Sequence, residues 1–465
     1  MSNEEQFQQL VASFEKVHGK QDDVAPLGNG VQETTSASDD LYSADISFEQ
    51  LGVDSDICKA ISGDLRFVAP SQVQAQSIPK VLSDPPRNCI VQSQSGTGKT
   101  LAFALGSLCR IDRSKLVPQV IVLCGTRELA RQVATLFYTL VKHTDPVVKV
   151  ATVLKGGGGA PVSTSNPHYA ALPSEAHIVV GTAGSILASI GRKQLDPSNL
   201  KVLVLDEADE LLKGQGAESH VMSILRQLPP DSECQRLLFS ATFPAEQRKF
   251  IIENFPRPQL IMKSEQELPL SCILNVALNV NSPEDREALF RHLMSEYSSL
   301  GQTIVFLNRR DEAKRLHTAL SEIGFGAELL TGDLQPEERD QIFDSFENNK
   351  IQVLIATHVL HRGVDVRHVV FVFNYDLPFD RDGSLNMASY LHRIGRTGRF
   401  GRRGIAVNFT SGDLSKEPSE THQAIDAIRH HYKIPLPYVT LEQLKQLVDK
   451  IDQEEGGETQ VLLQK

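Results

Sequence analysis

Residues 88–100 read NCIVQSQSGTGKT. The first five form an apolar run of the length and continuity of a buried strand. The remainder is a glycine-punctuated turn that ends in Lys-Thr and should open a helix. Glycines 96 and 98 let the backbone wrap closely, so that successive N–H groups can cradle phosphates at a helix N-terminus. Ser95, Gly96, Thr97 and Gly98 make the cradle. Lys99 supplies a point charge toward the terminal phosphates and Thr100 a hydroxyl toward Mg²⁺. A chance glycine-rich turn is the alternative, and the rest of the chain has to weigh against it.

Working outward, apolar strand-like runs alternate with helical patterns. Strands are expected at 88–92, 119–124, 149–154, 177–182, 201–206 and 236–242. The pattern then resets, with strands at 302–308, 327–332, 351–357, 369–375 and 404–410. Most are continuously apolar, as buried parallel strands are, and alternation with helices implies parallel sheets covered on both faces. The expected fold is therefore α/β with two tandem P-loop-type domains, at 48–262 and 273–465. A proline- and charge-rich stretch at 254–270 reads as a linker, and the expected link between the two domains is set at 263–272.

VLVLDEAD (202–209) complements the phosphate loop. A buried strand ends in acids, which places Asp206 to hold Mg²⁺ and Glu207 to orient and deprotonate an attacking water. In the second domain, YLHRIGRTGRFGRRG (390–404) gathers five arginines. They suit charge stabilisation on a phosphate, a nucleic-acid backbone or a solvated turn.

Composition sets bounds. The chain has 465 residues, 40% hydrophobic and 23% charged, with a net charge of −11. Residues 1–47 carry −7 of that and residues 453–465 carry −2, which leaves −2 for the part between. The expected folded region is thus nearly neutral, and the acidity does not exclude a nucleic-acid-binding face. No run of 18 apolar residues exists, so no membrane span is expected. Six scattered cysteines form no CxxC pair, which suggests a reducing, intracellular home. Residues 1–47 should be mostly disordered, except that Phe7, Leu10, Val11, Phe14 and Val17 fall at helical spacing.

The P-loop, DEAD (206–209), SAT (240–242), RGVD (362–365) and HRIGRTGR (392–399) occur in an order and spacing that resembles the DEAD-box RNA helicases. The resemblance covers roughly residues 48–450. It implies two RecA-like domains that bind ATP, with Mg²⁺, and single-stranded RNA across a shared cleft. FVAPSQVQ (67–74) is similar to the Q motif, so Phe67 would stack on adenine and Gln74 would read its edge. By the same resemblance, Lys99, Glu207, Arg396 and Arg399 would be catalytic, the two arginines as fingers, and Gly363 and Asp365 would meet the γ-phosphate and the ribose. Asp209, His392, Ser240 and Thr242 would couple hydrolysis to RNA. Thr126, Arg127, Gly156, Thr182, Arg310 and Thr357 would contact RNA, mainly at phosphates and 2′-OH groups. Arg393 is assigned to structure, and Arg402 and Arg403 to a solvated turn.

The chain departs from the family pattern at Gly125 for proline, Ser185 for arginine and Pro336 for glutamine. These bear on RNA contacts, not ATP chemistry. The serine-rich loop SQSGTGKT, the hydroxyl in TAGS and the insertion before the arginine motif resemble the mRNA-export branch at the nuclear pore. That branch implies a messenger ribonucleoprotein substrate, a nucleoporin and an inositol-hexakisphosphate-bound activator as partners. It also implies a monomer in nucleus and cytoplasm, at the cytoplasmic face of the pore. Three alternatives stay open: another DEAD-box branch in translation or splicing, a DNA-directed helicase, and a non-enzymatic RNA clamp.

Overall fold

A computed structural model describes residues 44–94, 96–155, 167–213, 215–230, 232–263, 272–297, 301–357, 368–380, 382–398, 403–412 and 418–450. The apolar-spaced stretch at 7–17 lies outside the described residues. The described chain falls into two compact units, 44–263 and 272–450.

The first unit is built on seven parallel strands. They are β1 (Cys89–Gln92), β2 (Val120–Cys124), β3 (Val150–Val153), β4 (Ile178–Thr182), β5 (Val202–Asp206), β6 (Gln235–Ser240) and β7 (Gln259–Met262). Their order is β3-β4-β2-β5-β6-β1-β7. Strands β2 and β5 are buried along their whole length, because helices cover both faces. One face packs Phe103, Phe137 and Phe239, and the other packs Leu205, Phe250 and Phe255.

The second unit has six parallel strands: β8 (Ile273–Asn279), β9 (Gln302–Phe306), β10 (Ala327–Leu330), β11 (Val353–Ala356), β12 (Val369–Asn374) and β13 (Gly404–Thr410). Their order is β10-β11-β9-β12-β13-β8. Two apolar layers flank this sheet as well, one around Phe290, Phe371 and Phe373, the other around Tyr390, Ile425 and Tyr432.

Two strands were not legible from periodicity. β7 lies inside the 254–270 stretch read as linker, and β8 begins directly after the expected boundary. β7 is a four-residue edge strand set between Pro256, Pro258 and the charges after Met262, so its brief apolar run reads as part of the linker. In β8 the apolar run is interrupted by Asn275 and Asn279, and Asn275 is buried. Among the described residues no helix is long and apolar enough to cross a membrane.

Candidate functional site

Parallel α/β sheets bind ligands beyond the carboxyl ends of their strands. In the first unit those ends carry most of the residues singled out above. The register places Cys124 opposite both Thr182 and Asp206, and Gln92 opposite Ser240. One half of the edge therefore presents Thr126 and Thr182, the other the phosphate loop, with Asp206–Asp209 and Ser240–Thr242 between.

The loop after β1 behaves as its glycines require. Gly96 and Gly98 have φ of +77° and +87°, where a side chain would strain the backbone. A Cβ on Gly98 would also lie 2.2 Å from Gln74 Nε2. Gly98 precedes helix α1 (Lys99–Leu108). Lys99 Nζ donates to the carbonyls of Ser93 and Gln94 at 2.8 and 2.6 Å, which holds the ammonium inside the loop. Ser93 and Thr97 share a hydroxyl hydrogen bond of 2.9 Å. Thr100 is half-buried in the first turn of α1. Ser95 lies outside the described residues.

The preceding helix, Gln72–Val81, grips this loop from outside. Its N-terminus is a capping box, in which Gln74 N bonds Ser71 Oγ and Ser71 N bonds Gln74 Oε1. Gln74 Nε2 also donates to Gly98 O at 3.1 Å, and Ser71 Oγ donates to Thr97 O at 2.7 Å. The Nε2 end of the Gln74 amide, read from sequence as an adenine reader, thus braces the phosphate loop here, while its Oε1 end closes the helix cap. Ser71 was not singled out from sequence, although the Ser-x-x-Gln spacing announces its cap. Phe67 is half-buried against the core.

At the end of β5, Asp206 and Glu207 are both buried. Glu207 adopts a left-handed backbone, φ +53°, unusual for a non-glycine residue and common where a site fixes a side chain. Its N–H donates to Asp206 Oδ1 at 3.0 Å. The other oxygen, Asp206 Oδ2, is buried and accepts no hydrogen bond from the described residues. Burial first, and the Glu207 charge second, hold the Asp206 carboxyl well above the usual carboxylate range, with Lys99 opposing them. A buried carboxylate oxygen without a donor fits a divalent cation, so Asp206, with Thr100, suits Mg²⁺.

Asp209 is tied to the next strand. Its two carboxylate oxygens accept from Ser240 Oγ and Thr242 Oγ1, each at 2.6 Å, and its carbonyl accepts from Gln247 Nε2 at 2.7 Å. The acidic stretch after β5 and the Ser-Ala-Thr stretch after β6 are therefore one hydrogen-bonded body.

On the other half of the edge, Thr126 Oγ1 caps helix α2 (Arg127–Leu140) by accepting from Leu129 N at 3.2 Å. Arg127 is buried and donates to Lys155 O at 2.7 Å, which anchors the chain as it enters the KGG stretch. Thr182 Oγ1 donates to Ser185 Oγ at 3.0 Å. Gly156 lies outside the described residues.

In the second unit, Arg310 is exposed at the start of the helix Arg310–Glu322 after β9, while Thr357 is buried after β11. These two strands are neighbours, with Ala356 opposite Phe306. His392 and Arg396 belong to helix α3 (Met387–Ile394) and the turn after it, where Arg396 Nε donates to His392 O at 2.9 Å. Arg393 is wholly buried. Its guanidinium bonds Asp376 O at 2.7 Å and Asn308 Oδ1 at 3.1 Å, and lies 5.1 Å from the Phe306 ring centroid. Burial pulls it down to about 9. Arg403, expected on a solvated turn, is buried instead, because it begins the approach to interior strand β13. Gly363, Asp365, Arg399 and Arg402 lie outside the described residues.

Comparison with known proteins adds to this geometry. The DEAD/DEAH box helicase profile matches residues 71–250, and the helicase conserved C-terminal domain matches residues 285–401. An ATP-dependent RNA helicase DBP5 from Meyerozyma guilliermondii is 39% identical over 380 residues, which is 82% of this chain and 75% of that protein. Among solved structures, S. cerevisiae Dbp5 bound to RNA and ADP BeF3 superposes with a TM-score of 0.79 at 33% identity. The match covers 87% of this chain and 99% of that one. A variant of S. cerevisiae Dbp5 bound to Nup159, Gle1, IP6 and ADP matches with a TM-score of 0.60 at 30% identity, covering 86% and 99%.

Proposed function

This chain belongs to the DEAD-box family of ATP-dependent RNA helicases, and on that premise we propose that it uses RNA-dependent ATP hydrolysis to remodel messenger ribonucleoprotein during export through the nuclear pore. The observation that carries the enzymatic part is Asp206. A buried carboxylate oxygen without a donor, beside Lys99 and Glu207 on the edge of a parallel sheet, is built for a nucleotide-bound cation.

In this reading the phosphate loop and Lys99 hold the β- and γ-phosphates, and Thr100 and Asp206 hold Mg²⁺, which when bound neutralises charge on the transferred phosphoryl group. Glu207, fixed by its left-handed backbone, orients the attacking water and takes its proton. Gly363, Asp365, Arg396 and Arg399 come from the arginine-rich half of the chain, and the two arginines meet the charge that develops on the γ-phosphate. Hydrolysis therefore needs both units. Thr126, Arg127, Gly156, Thr182, Arg310 and Thr357 would hold RNA at phosphates and 2′-OH groups with little base preference. The Asp209–Ser240–Thr242 body joins the two halves of the edge and passes the state of one to the other, with His392 completing the coupling.

The export assignment rests on relatives. A similar solved protein, S. cerevisiae Dbp5, is bound to Nup159, Gle1 and IP6. We assign this chain partners of the same kind and a place at the cytoplasmic face of the pore. The linker of the two domains is placed at 263–272.

Glu207→Gln tests the chemistry. ATP binding should be kept and RNA-stimulated turnover lost, and a wild-type rate would remove the role given to Glu207. Affinity capture from cells tests the branch. Retention of a nucleoporin and an IP6-dependent activator supports export, and retention of translation or splicing factors alone would replace it.

A further inference from the structure

Helix α3 carries His392 and Arg393 and leads directly into Arg396, yet it has only eight residues. So short a helix holds no fixed position by itself. What seats it is a buried polar bridge across the second sheet. Asn374 and Asn408 are cross-strand partners in β12 and β13, both wholly buried, and Asn374 Nδ2 donates to Asn408 Oδ1 at 2.8 Å. Side chains from two successive turns of α3 land on this pair. Arg393 Nη1 reaches Asn374 Oδ1 at 3.4 Å, and Asn408 Nδ2 reaches Tyr390 OH at 3.4 Å. Tyr390 OH also donates to Asn275 Oδ1 of β8 at 3.3 Å, and Asn408 Nδ2 bonds Val276 O at 3.0 Å.

Apolar packing alone would let α3 slide or roll on Ile394, Leu391 and Ile425, since hydrophobic contact is not directional. Hydrogen bonds at i and i+3 to two adjacent strands remove that freedom. Buried hydrogen-bond networks specify a single arrangement in this way. Because Arg396 Nε bonds His392 O within the same segment, its guanidinium follows any movement of α3. We propose that Asn374, Asn408 and Tyr390 are positioning residues for Arg396: an asparagine bridge in the sheet sets the register of α3 and thereby where the arginine delivers its charge. The inference rests on the role given above to Arg396.

The test is RNA-stimulated ATPase kinetics of the full chain with poly(U) RNA. Asn374→Leu combined with Asn408→Leu removes the bridge. Arg393 keeps Asp376 O and Asn308 Oδ1 and Tyr390 keeps Asn275 Oδ1, while Val276 O loses its side-chain donor, a small cost in stability. The pair variant should lose on the order of 10- to 100-fold in kcat, as misplacement of a catalytic group by about 1 Å does. KM for ATP and half-saturation by RNA should stay within about twofold, and the thermal unfolding midpoint within about 4 °C. Arg396→Lys should also lose turnover, and adding it to the pair variant should lower kcat no further, because both changes spoil one guanidinium placement.

Unchanged kcat in a folded pair variant would overturn the proposal, and so would losses that multiply with Arg396→Lys. A wild-type rate for Arg396→Lys alone would instead remove the role given to Arg396. If the pair variant does not fold, Tyr390→Phe carries the test, with an expected loss of about threefold to tenfold in kcat at constant KM and no loss overturning the idea.

Discussion

Without β7 the first sheet reads β3-β4-β2-β5-β6-β1, and the second reads β10-β11-β9-β12-β13-β8. Each strand of the second sits where the strand seven earlier in the chain sits in the first. The loops at equivalent strand ends nevertheless do different work. β1 runs into a glycine-bearing phosphate loop, and α1 has no acid in its first turn. β8 runs into Val280, Asn281 and Ser282, and its helix Pro283–Tyr297 opens on Glu284 and Asp285, which repel an anion at that N-terminus. β5 ends on Asp206, a buried carboxylate. β12 ends on Asn374, a buried amide. One topology carries two chemistries, and the side chains at strand ends, not the strand order, decide which.

The largest effect expected from breaking this asymmetry is at Lys99. Lys99→Ala should reduce kcat/KM for ATP by about 10³-fold, the loss expected when an oriented cation is removed from phosphoryl-transfer chemistry. At the equivalent point of the second unit, Ser282→Ala removes only a hydrogen bond from Asp285 N to Ser282 Oγ of 3.0 Å. It should cost about 1 kcal/mol of stability and leave ATPase constants unchanged. A comparable kinetic loss at Ser282 would mean that the two loops are not divided as described.

Next is Arg393. Its positive charge is buried among carbonyl and amide oxygens of the second unit, and a lysine cannot bond Asp376 O and Asn308 Oδ1 together from one planar group. Arg393→Lys should cost about 3 kcal/mol. Backbone amides of β12 and β13 should exchange faster, while those of β2 and β5 keep their protection. Uniform loss of protection in both sheets would contradict two separate cores.

These contrasts show why part of the molecule was legible and part was not. Asp206, Glu207, Lys99 and Gly98 announce themselves because their chemistry needs fixed residue types at fixed spacing. The interior strands announce themselves because burial on both faces makes them continuously apolar. β7 did not, since its brief apolar run sits between prolines and charges that read as a linker. Asn374 and Asn408 did not either. Buried amides are disfavoured unless paired, and their pairing is across strands 34 residues apart in sequence. Arg403 was misplaced for a related reason: a run of arginines reads as solvated until the strand that buries one of them is in place.

Glycines give a finer comparison. Gly98 and Gly324 both have positive φ, +87° and +78°. At Gly98 a Cβ would meet Gln74 Nε2 at 2.2 Å, and at Gly324 nothing lies within 4 Å. Both alanine variants should carry about 1–2 kcal/mol of backbone strain. Only Gly98→Ala should raise KM for ATP, by about tenfold or more, because Gln74 and the phosphate loop must move apart. Equal KM values for the two variants would detach Gln74 from the loop.

The smallest expected effect separates two capping boxes. Ser71 and Gln74 cap the helix before β1, and Gln335 and Glu338 cap the helix Pro336–Glu347 in the second unit. As caps each is worth about 1 kcal/mol, so Ser71→Ala and Gln335→Ala should lower stability by similar amounts. Their surroundings differ. Ser71 Oγ also donates to Thr97 O at 2.7 Å, inside the phosphate loop, whereas Gln335 is exposed. Losing a hydrogen bond to a loop that must hold its shape should raise KM for ATP about threefold to tenfold in Ser71→Ala, with no change in Gln335→Ala. Ser71→Thr keeps the hydroxyl and should restore the constant. If Ser71→Ala lost stability without any change in KM, the helix would be a neighbour of the nucleotide loop and not its brace.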